Sequence, residues 1–189
     1  MQKTSLCMCV LAGSLFSVSN SASSQQIVHA LTGTVSSIDS ASKTITLFQD
    51  NGSRETYDVM SAKARLAFDK KVEADSTEAK TFEKSGAYVI LFYFGTDENR
   101  TAVAVKSLGK GPFSSTTGEV TNWNDHQNTI SVKGTDGKVQ SFKVDDQTVA
   151  ETYTGVVNGS KFDVDKGDQV RIVSTLRDGQ PIVLFIREK

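Results

Sequence analysis

The chain carries few groups able to do chemistry, and they are dispersed. It has two histidines, His29 and His126, and two cysteines, Cys7 and Cys9. No G-x-S-x-G, no H-E-x-x-H and no Cys/His pair occurs, so neither an activated nucleophile nor a zinc hydrolase site is written into it. His29 reads as part of a mobile N-terminal stretch. "DVDKGD", Asp163 to Asp168, alternates carboxylates as a hard cation would require. It fails the calcium-loop pattern, because Gly167 falls at a ligand position and Ser174 at the twelfth. The plainer reading is an acidic turn entering a strand. "NWNDHQN", Asn122 to Asn128, sets the only tryptophan among amides and a histidine. An exposed indole there would stack on a sugar ring while its neighbours bind hydroxyls. Trp123, Asn124 and His126 are therefore the candidate ligand contacts, against the alternative that Trp123 is a core residue. No catalytic residue, metal ligand or cofactor site is expected, and the chain reads as a non-enzyme.

Residues 1–24 read as a secretory signal peptide. Lys3 supplies a positive start, Leu6 to Val18 is apolar or small, and Ser21-Ala22-Ser23 suits a signal peptidase. Its removal takes both cysteines, leaving a chain without thiol or disulfide chemistry. Twenty basic and 22 acidic side chains then remain, a net −2. That charge gives no electrostatic reason to bind nucleic acid. No later apolar run reaches the ~18 residues of a transmembrane segment.

The elements that position these residues come in two copies. Shifted by 85, Gly33 falls on Gly118, Val35 on Val120, Thr44-Ile45 on Thr129-Ile130, Gly52 on Gly137 and Val59 on Val144, without a gap. A second block, Gly86–Lys106, matches Gly167–Arg187 at a shift of 81. Phe82 and Phe162 precede the two blocks. The repeats are placed at 31–109 and 116–189, joined by the linker 110–115, "KGPFSS".

Each copy reads as five strands with period-two patterning and Gly turns. Between strands three and four the first copy carries an insert. Asp75 with Glu78 resembles a capping box and Gly86 a helix stop, so a short helix is expected at 76–84. The stretch 62–71 fits helix and strand equally. The fold class is mainly β, two tandem five-stranded OB-like barrels with a short helix in the first.

The motif set G-x-V-x-x-[IV]-[DN], T-I-T-[VL] and a late G-D-x-V resembles bacterial exported tandem repeats of a domain of unknown function. Gly33-Val35-Ile38-Asp39, Gly118-Val120-Trp123-Asn124 and Gly167-Asp168-Val170 carry the likeness. Gly86-Ala87-Val89 departs from it by lacking the Asp. The resemblance implies an OB-like barrel and a periplasmic or secreted location, and brings no catalytic residue.

One strand breaks the pattern. In "YVILFYF", Val89, Leu91 and Tyr93 align with core positions of the second copy. Tyr88, Ile90, Phe92 and Phe94 then form a second apolar face. The matching Gln169, Arg171, Val173 and Thr175 read as a wet face. A barrel cannot leave four such side chains in water. The insert (Leu66, Phe68, Val72, Phe82) or the second repeat is the preferred cover. An envelope protein partner or a second copy of the chain is the other. The expected function is an exported binding or structural module acting through protein contacts at Tyr88, Ile90, Phe92 and Phe94. The alternative is a small ligand or glycan at Trp123.

Overall fold

The computed structural model describes residues 25–61, 66–96 and 99–189, so the expected signal peptide lies outside the described residues. The first repeat contains β1 (Gln26–Ile27), β2 (His29–Asp39), β3 (Thr44–Gln49), β4 (Arg54–Val59), β5 (Leu66–Ala67), helix α1 (Lys70–Ala74), β6 (Thr77–Glu78), β7 (Tyr88–Phe94) and β8 (Thr101–Ser107). The second contains β9 (Phe113–Asn124), β10 (Thr129–Gly134), β11 (Val139–Lys143), β12 (Val149–Thr152), β13 (Gly155–Asn158), β14 (Gln169–Arg177) and β15 (Gln180–Glu188). The last three residues of the expected linker 110–115, Phe113 to Ser115, are therefore not linker but the start of β9, where they pair with β14. In the first, β4-β3-β2-β7-β8 lie side by side, and a parallel β4–β8 pairing closes them into a five-stranded barrel. β11-β10-β9-β14-β15 repeat this order, closed by β11–β15. Both barrels have the OB-like topology expected.

The shared residues mark shared backbone devices. β2 bulges opposite β3 between Val35 and Ser37. The equivalent bulge of β9 lies at Thr121. The bulge hydroxyls do the same thing in each copy. Ser36 Oγ donates to the Thr46 carbonyl at 3.3 Å and Thr121 Oγ1 to that of Ser131 at 3.1 Å. A second bulge pair lies at Val103 of β8, opposite Phe92 and Tyr93, and at Leu184 of β15, opposite Val173 and Ser174. Bulges bend strands, which a small closed barrel needs.

Each barrel has its own core. Val35, Ile45, Leu47, Tyr57, Val89 and Leu91 fill the first. Val120, Ile130, Val132, Phe142, Val170 and Ile172 fill the second. A third apolar cluster joins the two. Ile90 and Phe92 of β7 meet Val149 of β12, Val156 of β13, Val173 of β14 and Phe185 of β15, with Val72 of α1 among them. All but Val156 are at most 1% exposed. Phe68 sits 5.0 Å from Phe92, ring to ring, and Tyr88 stacks on Phe113 at 4.8 Å.

The cover for the second face is thus the insert together with the second repeat. Ile90 and Phe92 are sealed inside the chain, with Tyr88 and Phe94 partly buried beside them. The strand is therefore not an open interface for an outside partner. Two further corrections follow. Val173, expected to face water, is fully buried in the seam, whereas Gln169 stays exposed. Phe82, expected to cover the seam, instead plugs the first barrel.

The helix also differs from expectation. It spans Lys70–Ala74, and Asp69 rather than Asp75 is its cap, accepting from the Lys71 and Val72 amides at 2.9 and 3.3 Å. The stretch 76–84 holds β6 and a single 3₁₀ turn, Ala79–Thr81. Asp69 competes successfully because it gains a second partner. Lys161 of the other barrel donates to its Oδ2 at 2.6 Å. Burial opposes ionisation of Asp69, but Lys161 and the two helix amides outweigh it and hold its carboxyl below the ordinary range.

Candidate functional site at the barrel junction

Polar contacts rim the apolar seam. Lys71 reaches Asp146 at 3.1 Å on one side, and Lys106 donates to the Gln147 carbonyl at 2.9 Å. On the opposite side the barrels part into an open cleft of about 780 Å³. β2 contributes His29 and Thr32. The end of β3 and the turn after it bring Gln49, Asp50 and Asn51. β9 adds Ser115 and Thr117, and β14 and β15 add Arg171 and Arg187. The β12–β13 hairpin closes the end with Glu151, Thr152 and Tyr153.

Two charge clusters organise the cleft, each built across the barrels. In one, Asp50 Oδ2 accepts from Thr32 Oγ1 at 2.6 Å, from the Tyr88 hydroxyl at 2.7 Å and from Arg171 Nη2. Arg171 Nη1 also donates to Thr32 Oγ1 at 3.1 Å. Burial, reinforced by Asp50, pushes the Tyr88 phenol up to about 12. Arg171 aligns with Ile90 of the first copy. One copy has spent that position on the seam and the other on the cleft.

In the second cluster Glu151 is the deep member, its side chain only 4% exposed. His29 Nδ1 lies 3.2 Å from Oε1, and Arg187 Nε lies 3.2 Å from Oε2. The Arg187 approach is not aligned for a hydrogen bond, so buried Oε2 has no hydrogen-bond partner among the described residues. His29, expected to be mobile, instead begins β2, pairs with Tyr93 of β7 and packs its ring 5.7 Å from the Tyr93 ring.

Burial pushes the Glu151 carboxyl up from its ordinary 4.5, against the opposing pull of Arg187 and His29. The folded state therefore keeps this proton to higher pH than the unfolded chain does. Stability is undiminished below the unfolded value and declines as pH rises through the folded one. Glu151→Gln, with no charge to desolvate, is expected to melt a few degrees above the parent at pH 7.5. For a chain of this size about 1 kcal/mol moves Tm by ~2–4 °C. The advantage should vanish at pH 4 in scanning calorimetry. A variant that melts lower at pH 7.5 would show that attraction to Arg187 and His29 outweighs burial.

The residues singled out in "NWNDHQN" hold a turn. Asn124 Oδ1 accepts from the Gln127 amide at 3.0 Å, as Asp39 Oδ1 accepts from Ser42 at 2.9 Å in the first copy. Asn128 and Lys43 take positive φ at equivalent places, 48° and 53°. Trp123 is partly buried, edge-on to Phe162 at 5.7 Å and packed against the second core. Trp123, Asn124 and His126 are not among the residues that line the junction cleft, and the His126 side chain is 93% exposed. This packing of Trp123 fits the core alternative. "DVDKGD" is likewise spent locally. Asp168 Oδ2 accepts from the Asp165 amide at 2.9 Å, and Gly167 takes φ 104°. Among the described residues no group of three or more His, Cys, Asp or Glu is placed to hold a metal ion.

The cleft residues were missed because their signal is not local. The hairpin "VAETYTGVVN" has no counterpart among the described residues of the first copy, and this divergence between repeats was its only mark in the sequence. Among the described residues no helix is long and apolar enough to cross a membrane.

No family model matches the chain. No curated protein matches it either. Among solved structures it is similar to the crystal structure of Ag(I)CusF, with 14% identity and a TM-score of 0.33, over 42% of this chain and all of that one.

Proposed function

We propose that this chain is an exported, non-enzymatic binding module of the cell envelope, related to the bacterial tandem repeats its motifs resemble. The junction cleft is its recognition site. The observation that carries this reading is that the seam locks two barrels together so that both line one 780 Å³ opening. Export rests on the signal-like start. Absence of catalysis rests on the two histidines lying apart, one on the cleft wall and one on a remote turn. Protein contact through the apolar strand was the first expectation, but the seam now occupies that strand. Ligand capture remains, moved from Trp123 to the cleft.

The test uses the full chain expressed for export and incubated with the dialysable fraction of its own envelope extract. Native mass measurement should show a retained adduct below ~1 kDa. Ser115→Trp, which fills the cleft from an exposed position on β9, should lose it. A protein that retains nothing small but co-elutes with an envelope protein, or forms dimers by light scattering, returns the function to protein contact.

A further inference from the structure

We infer that the junction cleft binds a neutral saccharide, with Tyr153 as the stacking platform and Glu151 as the deep hydroxyl acceptor. The inference rests on the cleft being the recognition site and adds the class of ligand.

Three observations carry it. First, the charged side chains balance. Asp50, Glu151 and Glu188 share the lining with Arg171, Arg187 and Lys189, with Arg171 bonded to Asp50 and Arg187 set beside Glu151, so the cleft has no excess of either sign to select an acidic or a basic ligand. Beside them stand the hydroxyls of Ser115 and Thr117 and the remaining amide atoms of Gln49 and Asn51, whose Nε2 and Oδ1 are held by Tyr57 and Ser53. Such groups read a polyol, whose every carbon bears a donor and an acceptor.

Second, Tyr153 is 80% exposed at the cleft end, and its hydroxyl is fixed by donating to the Lys189 carbonyl at 3.2 Å. It is the most exposed large hydrophobic side chain among the described residues, and it stands beside the cleft. A tethered ring beside hydrogen-bonding side chains is what the apolar face of a pyranose needs.

Third, Glu151 Oε2 is buried and accepts no hydrogen bond among the described residues. An unsatisfied buried acceptor is costly. The groups that flank the carboxylate, His29 at Oε1 and Arg187 at Oε2, have side chains 38% and 44% exposed. A side-chain shift therefore admits a ligand hydroxyl with no change of backbone.

The test is ¹⁵N amide NMR of the full chain titrated with chitotetraose, maltotetraose and xylotetraose, and separately with putrescine and pyrophosphate. At least one tetrasaccharide is expected to move the Thr32, Asp50 and Glu151–Tyr153 amides saturably in the millimolar range or below. Tyr153→Ala should weaken that binding roughly five- to tenfold without changing Tm, and Tyr153→Phe should keep it. Glu151→Gln should weaken it while the fold stays intact. Shifts from putrescine or pyrophosphate alone overturn the saccharide class and leave the cleft reading standing. No shift from any probe also overturns the class, and the native mass measurement then judges the cleft separately. Saccharide shifts centred on Trp123 would overturn both.

Discussion

Val173→Asp is expected to unfold the protein as effectively as Phe92→Asp. The two side chains come from opposite barrels and meet in one seam, both fully buried. Among Val28, Ile90, Val149 and Phe185 nothing can pair with a carboxylate. A buried, unpaired charge costs several kcal/mol. The whole domain is stabilised by only about 5–15 kcal/mol. Both variants should lose the cooperative near-UV circular dichroism melt, or melt at least 15 °C early. Phe92→Ala, which leaves a cavity and no charge, should cost about 3–5 kcal/mol. Val139→Asp is the control, 58% exposed on β11, and should stay within ~0.5 kcal/mol of the parent. A Val173→Asp variant that melts near the parent would mean that the barrels do not share this core in solution.

Gly118→Ala and Gly33→Ala should be nearly as damaging, for a purely steric reason. A Cβ on Gly118 would stand 2.1 Å from the Lys133 carbonyl oxygen, and one on Gly33 2.5 Å from that of Phe48. Both obstacles are backbone in the neighbouring strand, so no side chain can step aside. Neither glycine is among those with positive φ. The requirement is close approach of two strands in a tightly curved barrel. About 3 kcal/mol or more is expected at Gly118, somewhat less at Gly33. Gly52→Ala separates this cause from ordinary turn strain. Gly52 has φ 87° and open space around it, so about 1–2 kcal/mol is expected there. Urea melts rank the three, and hydrogen exchange should show the Gly118→Ala loss in β9 and β10. If Gly118→Ala is no worse than Gly52→Ala, the strands have room to separate and the steric account fails.

The two glycines also show what the sequence could reveal. Their repetition at 85 residues located the barrels, and the alternation of Ile45 with Leu47 and Ile130 with Val132 oriented the strands inward. These are local signals, set by backbone geometry that each repeat needs for itself. The seam was half legible. Tyr88, Ile90, Phe92 and Phe94 announced a buried face, but Val173 stood between Arg171 and Thr175 and looked like one apolar residue on a wet strand. Its burial depends on which barrel face meets which, a relation without periodicity. The helix was misplaced because Asp75 and Glu78 matched a local rule, while the true cap at Asp69 draws on Lys161, 92 residues away. The cleft was not legible at all. Asp50, Glu151, Arg171 and Arg187 come from four separated segments, and each alone resembles an ordinary surface charge.

The shared seam also sets an order of events at birth. The first barrel leaves the ribosome before the second exists. At ~5–20 residues per second, Ile90 and Phe92 have only the insert, Phe68 and Val72, as cover for several seconds while the rest of the chain is made. During that interval the nascent half is a sticky intermediate in need of a holding factor. Cutting the chain at the linker would make that interval permanent, so a first half made alone should precipitate, although its own barrel is complete.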